Sequence, residues 1–368
     1  MKNSLFNHEW DAAYFVGDKT TKIYCFPWCE ENKKTENIIR FASRIEAEQA
    51  GYRPCKTCCS HLPHGSWEDH KDEIRLMVPK EFSFAENMKY LSIAPNESMY
   101  RIKDNRIYKA VPIEQETVLI EISTDHDDSL IIRFVGHTIP SHKWVRAAAA
   151  RFVREWFDLE TDLRPFYRLA ENDPLLQKVT SQFYGLRLIG IPDLFEAICW
   201  GIIGQQINLS FARTLKRRFV ETFGRHVNWN GEPYWIFPSP QVVAELTIND
   251  LTELQMSARK GEYLIGVARL MAEGKLTKER LRGAGDYKEA EKALVKIRGI
   301  GPWTANYTLM FCLRMPSALP IDDVGLHNAM KHLLGFENKP SKAEILKLFS
   351  RWKNWEAYAT FYLWRLLY

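Results

Sequence analysis

The stretch "VKIRGIGPWTANYTLMF", residues 295–311, predicts two helices joined by a tight turn. The first helix is expected to end at Ile297, and Trp303 begins the second. Gly299 and Gly301 stand in the turn, where glycine permits a positive φ and the close approach of another backbone. N–H groups at the start of the second helix would then face a phosphate. The pattern indicates a helix–hairpin–helix that holds a nucleic-acid backbone without reading its sequence, although an ordinary helix–helix turn has the same glycines.

Two adjacent carboxylates follow in "LPIDDVGLHNAM", where Asp323 lies twenty residues after Trp303. Either Asp322 or Asp323 could be the N-cap of the helix that begins there. A hairpin, then about twenty residues, then an aspartate at a helix start is also the signature of the helix–hairpin–helix DNA glycosylases. Within them, residues 180–368 resemble the DNA-3-methyladenine glycosylase II family. The matching stretches are "FEAICWGIIGQQIN" (195–208), "ARKGEYL" (258–264), "GIGPWTANY" (299–307), "DDVGL" (322–326) and "WKNWEAYATFYLW" (352–364).

This resemblance implies that Asp323 is the catalytic carboxylate and that Asp322 remains with the cap. Its position would let Asp323 stabilise the positive charge that develops on the sugar, or direct water. Trp303, Tyr307 and Trp364 would line the pocket for the flipped base, although each aromatic taken alone fits a plain core position. Lyase-type relatives carry a lysine where this chain has Trp303, so the resemblance implies a monofunctional hydrolase.

The same resemblance implies a DNA-binding surface and an ion. Gln205 and Gln206 are expected at the start of a helix, where relatives place the residue that fills the gap left by the flipped base. A solvated or capping amide is the alternative for Gln206. In relatives, the hairpin carbonyls at the positions that correspond to Val295, Ile297 and Gly299 of this chain hold a monovalent cation. The DNA-binding residues that we predict are Gln206, Gly299, Gly301 and Thr304.

Five of the seven cysteines lie in two short N-terminal stretches, "IYCFPWC" and "RPCKTCC". Cys25 and Cys29 form C-x3-C, and Cys55 and Cys58 form C-x2-C. Two such pairs are typical of a tetrahedral four-cysteine zinc site. Cys59 could take the place of Cys58, and the metal could serve only to hold together a domain with a small core. The two remaining cysteines, 199 and 312, lie in apolar helical stretches and are expected in the core.

Residues 10–61 resemble the N-terminal zinc domain of the Ada methylphosphotriester repair proteins. The matching positions are 20–21 (TT), 23–25 (IYC), Pro27, Cys29, 36–37 (EN), Phe41, 50–51 (AG), 53–56 (RPCK) and Cys58. In that family the first thiolate of the zinc site irreversibly accepts a methyl group from a DNA phosphotriester, and by position this is Cys25. The acidic "EEN" after Cys29 departs from the family pattern. A zinc domain that only binds DNA and recruits the glycosylase is the alternative, and a non-catalytic binder of damaged DNA is a third hypothesis.

Composition is ordinary for a globular chain: 46% hydrophobic, 26% charged, net charge +4 and 368 residues. No apolar run is long enough for a membrane span, and the N-terminus lacks the apolar core of a signal peptide. We therefore expect a cytoplasmic protein, associated with the nucleoid through DNA. The expected partner is alkylation-damaged duplex DNA, bound by a monomer.

Periodicity and the two resemblances together predict a multidomain chain. A small α+β four-cysteine zinc domain (1–64) is followed by a linker (65–80), an α+β antiparallel-sheet domain (81–172) and an all-α helix–hairpin–helix glycosylase body (173–368). "ETVLIEIST" and "SLIIRFVG" alternate with period two and predict a β-hairpin. "HKWVRAAAARFVREWFDL" and the stretch 192–224 have helical spacing.

Overall fold

The structure is a computed structural model of the chain. It describes residues 14–25, 29, 37–41, 46–47, 50–55, 67–70, 72–94, 97–113, 116–125, 128–136, 140 and 143–367. Packing divides the chain into two compact units. The first comprises Met1–Val78, Glu97–Glu160 and Gly224–Phe237, and the second comprises Pro79–Asn96, Thr161–Phe223 and Pro238–Tyr368. Within the described ranges, every helix is too short or too polar to cross a membrane.

A four-stranded sheet begins the first unit, with β1 (Phe15–Asp18), β2 (Ile23–Cys25), β3 (Ile38–Phe41) and β4 (Arg53–Pro54) in the order β3-β1-β2-β4. β1 is antiparallel to β2 and β3, whereas β2 and β4 run parallel. Tyr24, Phe41 and Tyr52 pack with cysteine side chains in a small core. The parallel pair brings the end of β2 level with the end of β4.

A six-stranded antiparallel sheet follows. Its strands are β5 (Trp67–Asp69), β6 (Glu73–Met77), β7 (Arg101–Lys103), β8 (Arg106–Ile113), β9 (Glu116–Ser123) and β10 (Ser129–Phe134), in the order β5-β6-β10-β9-β8-β7. β9 and β10 pair with Ile122 opposite Ile132, so the predicted β-hairpin is confirmed.

The prediction of a linker at 65–80 is wrong, because β5 and β6 lie within it. β6 pairs with both β5 and β10, and its Ile74 and Leu76 are fully buried. The stretch "EIRLM" alternates as a half-buried strand should. The polar residues on either side hide the strand in the sequence, because its pairing with β10 involves residues more than fifty positions away.

A second hairpin, β11 (Arg225–Trp229) and β12 (Glu232–Ile236), lies within the segment predicted to be all-helical. Asn230 and Gly231 turn the chain with φ values of 50° and 77°, as a type I′ turn requires. The dipeptide Asn-Gly between two alternating runs was the sequence signal for this hairpin. Tyr234 and Ile236 pack against the six-stranded sheet of the same unit.

Fifteen α-helices are found in the described residues, and all but α2 belong to the second unit. They are α1 (Phe84–Leu91), α2 (Lys143–Trp156), α3 (Arg164–Glu171), α4 (Pro174–Gln182), α5 (Leu194–Ile203), α6 (Leu209–Phe223), α7 (Pro240–Ala244), α8 (Ile248–Thr252), α9 (Ala258–Ala272), α10 (Lys278–Arg282), α11 (Tyr287–Val295), α12 (Pro302–Phe311), α13 (Val324–Leu334), α14 (Lys342–Phe349) and α15 (Glu356–Trp364). The helices predicted from 142–159 and 192–224 are confirmed as α2, α5 and α6. The predicted multidomain fold class is confirmed.

The packing units do not follow the predicted segment 81–172, because α1 and α3 belong to the second unit. A helix with one apolar face packs against an apolar surface of the fold, even when its neighbours in sequence belong to the other unit. Apart from the linker, the division into segments stays a prediction.

Asn87 on α1 anchors the start of the second unit. Its Nδ2 donates to the carbonyls of Ser83 (2.7 Å) and Gly185 (3.1 Å), and its Oδ1 accepts the N–H of Arg187 at 3.0 Å. The side chain is fully buried. These bonds tie α1 to a segment almost one hundred residues further along the chain.

We expect Asn87→Ala to lower the free energy of unfolding by about 3 kcal/mol, because it removes three buried hydrogen bonds and leaves the N–H of Arg187 without a partner. Urea denaturation would measure the change. Lys89→Ala is the matched control on the same helix: Lys89 is exposed and makes only a surface ion pair with Glu86, so about 0.5 kcal/mol or less is expected. Equal effects of the two variants would contradict the anchoring role.

Candidate active site and metal centre

Asp323 caps the N-terminus of α13. Its Oδ1 accepts the backbone N–H of Leu326 at 2.7 Å, and its own backbone is extended (φ −70°, ψ 122°). The prediction that Asp322 serves as the cap is therefore wrong. Only the residue immediately before the helix can turn its side chain back to the first-turn N–H groups. Asp322 is exposed and forms an ion pair with Lys342.

Two indoles from different helices hold the Asp323 carboxylate. Trp303 Nε1 on α12 donates to Oδ2 at 2.8 Å, and Trp364 Nε1 on α15 donates to Oδ1 at 2.8 Å. All three side chains are half-buried. Each oxygen thus accepts an N–H that can only donate, and this determines the orientation of the carboxylate. The structure brings together three residues that the sequence separates by as many as 61 positions.

A run of aromatic rings lines this site. Trp303 stacks on Tyr307 (centroids 5.2 Å apart, planes at 22°), and Tyr307 stacks on Phe311 (4.5 Å, 29°). Phe311 lies parallel to Trp364 (6.1 Å, 3°). The sequence analysis missed Phe311, although its spacing of four residues from Tyr307 places both on one helix face.

Tyr307 presents its ring to this site and its hydroxyl to the interior. Burial raises the pKa of the hydroxyl well above its ordinary value, and the negative charges of Glu196 and Asp323 raise it further. Tyr307 is therefore a neutral hydrogen-bonding group at any physiological pH.

Gly325 leaves room for the carboxylate and its indole donor. A Cβ at this position would lie 2.9 Å from Asp323 Oδ1 and 3.3 Å from Trp364 Nε1. Any larger residue would have to displace one of these two groups. The φ of Gly325 is not positive, so its backbone conformation does not require glycine. Glycine is required here because a Cβ would not fit.

The predicted hairpin is formed by α11, a turn and α12. Gly299 has φ +97°, and a Cβ there would lie 2.3 Å from the Tyr263 ring, so glycine is required twice over. Gly301 has φ −87° and needs no left-handed conformation. A Cβ on Gly301 would meet nothing within 4 Å, and no side chain caps the helix there. The first N–H groups of α12 therefore face an open approach.

The loop after α5 supports the hairpin. Gln205 Nε2 donates to the Gly299 carbonyl at 2.8 Å, a contact that the sequence analysis missed. Gln206 is exposed with φ 57°, and it follows α5 instead of beginning a helix as expected. Thr304 is 2% exposed and its hydroxyl lies against the Gly201 carbonyl, so its side chain is not available to DNA.

The predicted cation at the hairpin carbonyls stays a prediction. The Gly299 carbonyl already accepts Gln205, and the Ile297 carbonyl accepts the N–H of Ile300 at 3.0 Å. A carbonyl oxygen has a second lone pair, which an ion would use.

Three of the four predicted zinc ligands converge in the first unit. The thiols of Cys25, Cys29 and Cys55 lie within 4.8 Å of one another, and the Cys29 and Cys55 sulfurs are 3.9 Å apart. None of the three forms a disulfide. Zn–S bonds of about 2.3 Å at tetrahedral angles separate the sulfurs by about 3.8 Å, so these thiols fit zinc. Cys58, Cys59 and the loop around them lie outside the described residues.

Strand pairing creates this centre. Cys25 ends β2 and Cys55 follows β4, and the Cys55 N–H donates to the Tyr24 carbonyl at 2.9 Å. The parallel register therefore places two thiols side by side. Cys199 and Cys312 are buried in the second unit, as expected of core residues.

Family models match most of the chain. The metal binding domain of Ada matches residues 6–60, the N-terminal domain of 8-oxoguanine DNA glycosylase matches 78–198, and the HhH-GPD superfamily base excision DNA repair protein matches 199–354.

Individual relatives agree with these models. A DNA-3-methyladenine glycosylase of Bacillus subtilis (strain 168) is 50% identical over 303 residues, which are 82% of this chain and all of that protein. A Mycobacterium tuberculosis protein described as "Probable bifunctional transcriptional activator/DNA repair enzyme AlkA" is 26% identical over 80% of this chain and 57% of its own length. The structure of a 3-methyladenine DNA glycosylase from Archaeoglobus fulgidus superimposes with a TM-score of 0.68 at 23% identity, over 79% of this chain and 97% of that one, and so shares its fold. The chain thus belongs to the DNA-3-methyladenine glycosylase family of the HhH-GPD superfamily, and it carries an Ada-type metal-binding domain at its N-terminus.

Proposed function

We propose that the second unit is a monofunctional glycosylase that hydrolyses the N-glycosidic bond of alkylated bases, chiefly 3-methyladenine, in duplex DNA. The observation that carries the proposal is the Asp323 carboxylate, which two indole N–H groups hold beside a run of aromatic rings. Within the described residues, no cation forms an ion pair with Asp323. Its negative charge is therefore oriented by neutral donors and remains free to act on the sugar.

The chemistry needs a negative charge at the sugar. As the C1′–N bond breaks, its electron pair leaves with the base, and positive charge develops on the sugar ring. Asp323 stabilises that charge and accepts the proton of the water that adds to C1′. Alkylation at a ring nitrogen makes the bound purine cationic, so the base leaves as a neutral molecule. Trp303 offers no amine for a Schiff base, and hydrolysis alone results.

Aromatic faces provide the selectivity. The damaged base must leave the duplex before it can reach Asp323. Cationic rings bind the electron-rich faces of Trp303, Tyr307 and Trp364 more strongly than neutral bases do.

The hairpin and the loop after α5 form the proposed DNA contact. N–H groups at the start of α12 would contact a phosphate beside Gly301, where even an added Cβ would meet nothing within 4 Å. Gln206 projects from the α5–α6 loop as the residue that fills the gap left by the flipped base. A single flipped base requires one copy of the chain, so we expect a monomer.

The N-terminal module accepts a methyl group. In this step the Cys25 sulfur attacks the methyl carbon of a phosphotriester; the S–C bond forms, the C–O bond breaks, and the electron pair restores the charged phosphodiester. Zinc, when bound, keeps the thiols deprotonated and nucleophilic. The product is a thioether, so each chain reacts once.

A structural zinc domain that only binds DNA is the second candidate for this module. One observation favours it: the three described thiols are 2–4% exposed, and a nucleophile must be reached by its substrate. The two candidates differ in whether protein ever carries a methyl group.

For the glycosylase, we expect Asp323→Asn to slow single-turnover base release by about 100- to 1000-fold, because charge stabilisation is lost. The side-chain NH2 of the introduced asparagine would also face one indole N–H, so that two donors would meet. Asp322→Asn is the matched control, an exposed neighbour whose variant should stay within about threefold of wild type. Affinity for duplex DNA should not weaken in either variant. Base release by Asp323→Asn at the wild-type rate would disprove the assignment.

Gly325→Ala should slow base release by about 10- to 100-fold, because the added methyl displaces Asp323 or Trp364. Gly266→Ala is the control: it lies on the exposed face of α9, where a Cβ meets nothing within 4 Å. That change should leave the rate unaltered and raise stability by about 0.5–1 kcal/mol. Rates for Gly325→Ala equal to those of the control would show that this space is unimportant.

For the zinc module, DNA carrying radiolabelled methyl groups would be incubated with the protein and the label followed. We expect label both in free base and on protein, the latter saturating at one methyl per chain. Cys25→Ser should lose only the protein label, Asp323→Asn only the free base, and Cys199→Ala neither. Absence of protein label from the zinc-loaded wild type would favour the structural role.

A further inference from the structure

Asn306 on α12 makes four hydrogen bonds and is 3% exposed. Its Oδ1 accepts the Tyr287 hydroxyl at 2.6 Å and the backbone N–H of Leu319 at 3.0 Å. Its Nδ2 donates to Glu291 Oε1 at 2.6 Å and to the Pro302 carbonyl at 2.9 Å. Both amide protons and two oxygen lone pairs are engaged, so the side chain has one orientation.

On one side, Asn306 holds the segment that ends in the candidate catalytic residue. The Leu319 carbonyl accepts the N–H of Ile321 at 2.8 Å, and the Pro320 carbonyl accepts the N–H of Asp323 at 2.9 Å. Trp303, three residues before Asn306 and hence on a neighbouring part of the same helix face, binds the Asp323 carboxylate. Residues 319–323 are thus attached to α12 at both ends.

On the other side, Asn306 holds the first helix of the hairpin. Tyr287 and Glu291 lie one turn apart on α11. Glu291 Oε2 also pairs with Lys288 Nζ at 3.1 Å, and Lys288 lies 4.5 Å over the Tyr287 ring. Burial, together with the Glu291 charge, raises the pKa of Tyr287, so its hydroxyl stays a donor. One amide therefore joins both hairpin helices to the segment 319–323.

We propose that Asn306 is a positioning residue for base excision: it keeps Asp323 at a set distance from the hairpin that holds the DNA backbone. The inference rests on the proposed function, since it takes Asp323 to act on the sugar and the hairpin to bind phosphate. The hairpin determines where the DNA backbone lies, and the segment 319–323 determines where the Asp323 carboxylate lies. A displacement of about 1 Å between them can slow a reaction by about 100-fold.

The test is Asn306→Asp, which has the same shape but sets a carboxylate against Glu291. We expect the single-turnover rate of base release to fall by about 10- to 100-fold. The dissociation constant for duplex DNA containing a non-hydrolysable abasic analogue should change by less than about threefold, because the hairpin N–H groups remain. Asn249→Asp, the same change at an exposed position on α8, should alter neither quantity.

A rescue variant separates positioning from a general loss of structure. In Asn306→Asp/Glu291→Gln, the new glutamine amide can donate to the new aspartate, which restores the bond with reversed polarity. We expect the rate to recover to within about fivefold of wild type, and Glu291→Gln alone to remain near wild type because its Oε1 still accepts from Asn306.

Three results would overturn the proposal: a wild-type rate in Asn306→Asp, equal losses in rate and in DNA affinity, or no recovery in the double variant. If Asn306→Asp does not fold by circular dichroism, Tyr287→Phe provides the test. It removes one of the four bonds and should lower the rate by about three- to tenfold with unchanged affinity; an unchanged rate would overturn the proposal. A wild-type protein that releases no base would instead overturn the proposed function on which the inference rests.

Discussion

The carboxylate of Asp323 is the point on which the arrangement of the second unit depends. It is at once the cap of α13 and the acceptor for indoles on α12 and α15, so three helices meet at its two oxygens. Such a group can adopt only one orientation, because each donor removes a rotational freedom. The surrounding features follow from this constraint: glycine at 325, the stacked rings along α12, and the short segment that leads into α13 all leave the carboxylate in place and uncovered.

The two candidate sites in this chain rest on different physical supports. Asp323 is oriented by neutral N–H donors in a large helical core. The thiols of Cys25, Cys29 and Cys55 are gathered by a few backbone bonds in a small sheet, and their fit to a metal adds the stability that such a core lacks. The described residues of each site belong to one unit. A separate metal-binding domain explains why the cysteines are concentrated at one end of the sequence.

Sequence reasoning worked where the signal is local. The hairpin β9–β10 was evident from strict alternation, and α5 and α6 from helical spacing. It failed for β5 and β6: β6 pairs with β10, more than fifty positions away, and β5 pairs only with β6. It also missed β11 and β12, where an Asn-Gly turn was present but was read within a helical context.

The residue types of both sites can be recognised in the sequence: the paired cysteines, the glycines of the hairpin, the aspartate after it and the indoles. These depend on chemistry and on spacing within a few turns. Tertiary structure alone decided which of two adjacent aspartates is held by the indoles, that Gln205 binds the hairpin carbonyl, and that Asn306 joins the hairpin to the segment 319–323. Hydrogen bonds between residues far apart in the chain require distances and angles that no local pattern contains.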